Sequence, residues 1–75
     1  MATVMWEVRA VEGRQDDLLA WVLDRVPAGA QVYRSSDGEP RLVVIDPSGT
    51  AAESLAGAPD ELAARPAHAW SFDRV

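Results

Sequence analysis

The sequence predicts a single α+β domain in which a four-stranded antiparallel sheet carries two helices on one face, in the order βαββαβ. Three observations predict it. Apolar residues alternate with period two near both ends of the chain, and a central Asp-Gly turn separates two further strand-like stretches. Between the first two such stretches they recur at three- and four-residue spacing. The 75 residues are enough for one core only, so residues 1–75 are read as one domain.

The first strand is Thr3–Ala10. Val4, Trp6, Val8 and Ala10 share one face, and Thr3, Met5, Glu7 and Arg9 share the other. Gly13 then punctuates the chain. Arg14–Val26 reads as the best helix, with Leu18, Leu19, Val22, Leu23 and Val26 forming its apolar stripe. Asp16 and Asp17 in the first turn and Arg25 in the last suit the helix dipole. Pro27 and Gly29 end it.

Ala30–Ser35 and Arg41–Asp46 pair as a hairpin across Ser36-Asp37-Gly38-Glu39-Pro40, because Asp-Gly is a strong short hairpin signal. The continuous apolar run Leu42-Val43-Val44-Ile45 suits a central strand contacted on both faces. Thr50–Ala64 is a weaker helical stretch. Thr50 and Glu53 have capping-box spacing, but Gly57 and Pro59 interrupt it, so two short turns fit as well as one helix. Leu55 and Leu62 are its large apolar anchors. Pro66–Val75 reads as the fourth strand, with His68, Trp70, Phe72 and Arg74 on one face.

Right-handed crossovers place both helices on one side of the sheet. The first and third strands are then central. The opposite sheet face has no helix to cover it. It carries Met5 beside either Leu42 and Val44 or Val43 and Ile45, which is too apolar for water alone. A second subunit packed on that face gives a homodimeric α/β barrel, with Glu7 and Arg9 near the seam. Size points the same way. A chain this short buries roughly 60% of its unfolded surface, and self-association is one way to enlarge a small core.

Composition removes several function classes. Cysteine is absent, so there is no disulfide or thiolate chemistry. One histidine cannot make a multi-histidine metal site, and no metal is expected. All seven basic residues are arginine, which removes Schiff-base chemistry and lysine-linked cofactors. No cofactor is expected. A net charge of −5 argues against nucleic-acid and acidic-membrane surfaces. The opening MATVMWEVRA contains acid and base within ten residues and reads as neither signal peptide nor membrane span. A cytoplasmic location is the default expectation. No phosphate loop, nucleophile elbow, HExxH or EF-hand pattern occurs.

Glu12-Gly13 leading into an amphipathic helix, then Pro27-Ala28-Gly29-Ala30-Gln31-Val32-Tyr33-Arg34 and the Ser35–Pro40 hairpin, resemble the dimeric α/β-barrel family of ferredoxin-like fold that includes antibiotic-biosynthesis monooxygenase domains. The resemblance covers most of the chain in element order. It implies a dimer with a pocket between sheet and helices. Haem-degrading relatives use an Asn, a Trp and a His, and this chain has no asparagine, so that trio does not carry over. Quinone-forming relatives act on polycyclic substrates without metal or flavin. Such a pocket needs more room than an alanine-rich second helix promises.

The candidate site residues follow. His68 can orient a phenolic ligand or move a proton, or it is a plain strand histidine with one hydrogen bond. Trp6, Trp70 and Phe72 on one face would form an aromatic wall for a planar ligand, or simply fill the core. Trp21 is a lid for that wall or a packing residue. Tyr33 and Arg34 point to opposite faces, so only one enters a pocket, as hydrogen-bond donor or anion anchor. Either is otherwise a solvated edge residue. Glu7 and Arg9 fit an interface ion pair better than catalysis. The remaining acids read as solvated surface.

Two functions of different class follow. The first is a monooxygenase-like domain that binds or oxidises a small aromatic ligand, with Trp6, His68 and Trp70 lining the pocket and Tyr33 or Arg34 at its mouth. The second is a non-catalytic dimerisation or accessory module. An ACT-like regulatory domain binding an amino acid shares the element order and is the third reading.

Overall fold

The computed structural model describes residues 2–75. It contains β1 (Thr3–Arg9), α1 (Gln15–Arg25), β2 (Gln31–Arg34), β3 (Arg41–Asp46), α2 (Ala51–Ser54) and β4 (His68–Phe72). The sheet order is β2-β3-β1-β4, and every neighbouring pair is antiparallel. This is the ferredoxin-like α+β layout, with β1 and β3 central as the element order requires.

Alternation in β1 does what period two dictates. Val4, Trp6 and Val8 are buried, and the residues between them are half-buried. Leu42, Val44 and Asp46 of β3 are buried on the same side. Leu18 and Val22 of α1, Ala51 of α2, and Leu55 and Leu62 complete the core above them.

The α1 helix ends where Val26 turns extended, although the Val26 N–H still reaches the Val22 carbonyl at 2.8 Å. Its buried stripe is narrower than the periodicity suggested. Leu23 was expected in the stripe, but it is 55% exposed. Successive residues lie about 100° apart around a helix, so Leu23 stands a quarter-turn beyond Val22 and clears the sheet.

In the β2–β3 hairpin, the Ser35 hydroxyl donates to the Glu39 carbonyl and accepts the Arg41 N–H. Gly38 at φ +71 supplies the left-handed position of the loop.

The second helical stretch takes the broken form, one of the two readings its sequence leaves open. Only Ala51–Ser54 is helical, and the chain from Leu55 to Ala67 runs as turns. The Thr50–Glu53 capping box does not form, since no side chain of that pair caps the turn. Asp46 performs this role instead. Gly57 at φ +78 and Pro59 break the helix, as their chemistry demands. The resulting strap is stitched to the end of β1: the Val11 N–H donates to the Leu62 carbonyl and the Ala64 N–H to the Arg9 carbonyl, both at 2.8 Å. Among the described residues no helix is long and apolar enough to cross a membrane.

Candidate functional site

The register divides the candidate residues between the two sides of the sheet. Trp6 is paired with Ala69, so it lies under the helices. Trp70 is paired with Met5, Phe72 with Thr3, and His68 with Glu7, so all three belong to the opposite face. The expected wall of Trp6, Trp70 and Phe72 on one face therefore does not form. Adjacent antiparallel strands keep directly opposed residues on one side, and β4 enters the sheet one residue out of phase with that wall.

His68 does not meet Trp6 for the same reason. It stacks on Trp70, with ring centroids 5.9 Å apart and an angle of 18° between planes. Tyr33 is on the open face as well, 54% exposed, and its hydroxyl donates to Gln31 Oε1 at 3.0 Å. Arg34 points to the helix side and pairs with Asp16 at 3.2 Å. Trp21 packs against the core with the Arg25 guanidinium 4.6 Å over its ring. The pocket of Trp6, His68, Trp70 and Tyr33 or Arg34 is thus split across the sheet.

The open face is assembled from all four strands. Met5, Val43 and Ile45 lie at its centre and are half-buried. Trp70 is 44% exposed and Phe72 53% exposed beside them. The choice left open by the sequence is settled in favour of Val43 and Ile45 as the residues flanking Met5. One end of the face is charged. Glu39 accepts Arg9 at 3.3 Å on Oε1 and Arg41 at 2.8 Å on Oε2. The Arg41 hydrogen bond, then the Arg9 charge, hold the Glu39 carboxyl below its usual range, and Arg65 adds to the effect from further away. Within the chain, Arg9 bonds to Glu39.

On the helix side there is a cleft of about 570 Å³. Trp6 and Ala69 line it from the sheet, and Ala52, Leu55 and the turns as far as Ala67 line it from above. Its charged lining residues are Asp60 and Arg65. The cleft exists because the strap is not a helix. Beneath it the helix-side residues of β4, Ala69 and Ser71, are left exposed.

Asp46 reads in the sequence as one of the solvated acids, yet it has no solvent exposure. Its Oδ1 accepts the Ser48 N–H at 2.9 Å and the Ser48 hydroxyl at 2.7 Å. Its Oδ2 accepts the N–H groups of Thr50 at 2.8 Å and Ala51 at 2.7 Å. Burial pushes the carboxyl up, but these four donors outweigh burial and leave it below its ordinary value. A saturated carboxylate of this kind holds a loop and has no free lone pair aimed at a ligand. The signal was available in Asp46-Pro47-Ser48-Gly49-Thr50, which places an acid before small donors and a turn.

Among the described residues no three His, Asp or Glu side chains gather as a metal would require. Comparison with known protein families, with curated proteins and with solved structures finds no match for this chain.

Proposed function

We propose that this chain is a non-catalytic homodimerisation module, in which a second copy covers the open sheet face as in a dimeric α/β barrel. One observation carries the reading: Met5, Val43, Ile45, Trp70 and Phe72 form a contiguous apolar surface with no element of their own chain over it. Charge favours a twin over an unlike partner. The same face carries Glu7 and Glu39 with Arg9 and Arg41, so a two-fold axis can set acids of one copy against guanidinia of the other.

The oxidative reading has less support. Trp6 faces the cleft, whereas His68 lies across the sheet from it. The one side chain expected to move a proton belongs to the opposite face of the sheet from the cleft. Geometry at that cleft supports binding without chemistry.

Val43→Arg places a charge at the centre of the proposed interface. The expected result is a fall from dimeric to monomeric mass by light scattering, with an unchanged far-ultraviolet circular dichroism spectrum. A Val43→Arg protein that keeps the wild-type mass would contradict the reading.

A further inference from the structure

The helix-side cleft lies across the sheet from the proposed dimer face, and its chemistry can be argued without that reading. Its volume of about 570 Å³ falls within the few hundred to a thousand cubic ångström typical of small-molecule sites. Trp6 lies beneath the cleft but is only 2% exposed, so the surface a ligand meets is mainly Ala69 and the alanines of the strap. Small residues leave room, and they make no polar demand on the body of a ligand. The wall is preformed, since Leu62 is buried and the strap is bonded at both Leu62 and Ala64 to the end of β1.

Charge decides the class of ligand. Among the described residues, Arg9, Arg14, Arg25, Arg34 and Arg41 each have a carboxylate oxygen within 4.0 Å. Arg65 has none. Glu39 is near enough to respond to it, but Arg41 and Arg9 already take both Glu39 oxygens. Glu7 acts on Arg41 in turn. Three guanidinia therefore share two carboxylates, and Arg65 carries the surplus. Asp60, the other charged lining residue, repels an anion from its own position. The chain's net charge of −5 opposes anions at long range, yet at physiological salt that field is screened beyond roughly 8 Å.

We propose that this cleft binds a small molecule with an apolar body and one carboxylate, the body resting on Ala69 and the alanines of the strap and the carboxylate meeting Arg65. A guanidinium suits this task because its fork can hold both oxygens of a carboxylate.

The test uses phenylacetate, its neutral analogue phenylacetamide and its cationic analogue phenethylamine as probes, titrated at physiological salt. Amide chemical shifts of the 15N-labelled chain are followed across the strap and β4. Phenylacetate is expected to give saturable shifts at Leu55–Ala69 and at the Trp6 indole, with a dissociation constant of roughly 1 mM or below. Phenylacetamide should bind about tenfold more weakly, the loss of one charge-assisted contact. Arg65→Gln, at an exposed position, should bring phenylacetate down to the level of the amide. Ala69→Leu should weaken both by filling the cleft. Equal binding of the three probes, tighter binding of phenethylamine, an unaffected Arg65→Gln, or no saturable shift at these residues with any probe would each overturn the proposal. Measuring mass on the same samples separates its failure from failure of the dimer.

Discussion

Asp46 Oδ2 accepts the Ala51 N–H at 2.7 Å, and through that bond the end of β3 holds the first turn of α2. Neither group meets solvent, since Asp46 and Ala51 are both fully buried. Removing the carboxylate strands several donors at once. Asp46→Ala is expected to destabilise the fold by about 2–4 kcal/mol, the usual cost of leaving buried donors unpaired. Urea denaturation checks it. A loss below about 0.5 kcal/mol, typical of a surface change, would contradict the buried network.

Stability should also depend on pH through this residue. Its folded carboxyl sits below the ordinary aspartate value because four donors outweigh burial. An unfolded aspartate titrates near about 3.9. The contribution of Asp46 is therefore fully present above that pH and is lost as pH falls through the lower, folded value. Glu39 shifts in the same direction, but it is exposed, and salt screens its share. Denaturant midpoints from neutral pH to about pH 2.5 should fall steeply on the acid side in the parent and much less in Asp46→Asn.

Gly49 follows the same loop. It sits at φ +80, and a Cβ there would stand 2.9 Å from the Ala2 carbonyl oxygen. Gly29 has a similar φ of +84 with open space around it. Both alanine variants incur the left-handed penalty of roughly 1–2 kcal/mol. Gly49→Ala adds a backbone clash and should be the more destabilised of the two by thermal unfolding. Equal losses would show that the Ala2 contact yields freely.

Much of this fold was legible because its signals are local. Alternation fixed the faces of β1, Asp-Gly placed the hairpin, and the Leu42–Ile45 run marked a central strand. What failed needed distances between elements. The phase of β4 against β1 depends on how the strap from Leu55 to Ala67 delivers it, and that strap has no periodicity to read. One residue of phase put Trp70 and His68 on the side away from Trp6, which divided the expected site. Leu23 looked like core because spacing alone does not say how wide a stripe the sheet can cover. Asp46 looked solvated because its partners are mostly backbone N–H groups, which carry no sequence identity. The cleft was invisible because its walls are alanines and turns.

The uncovered sheet is the centre of the account, and sedimentation equilibrium of the unmodified protein over a dilution series tests it most directly. A dimer closed over that face gives a species of twice 8.1 kDa that yields to single chains only on dilution. A folded 8.1 kDa species at every concentration, up to those where the protein is otherwise soluble, would contradict it.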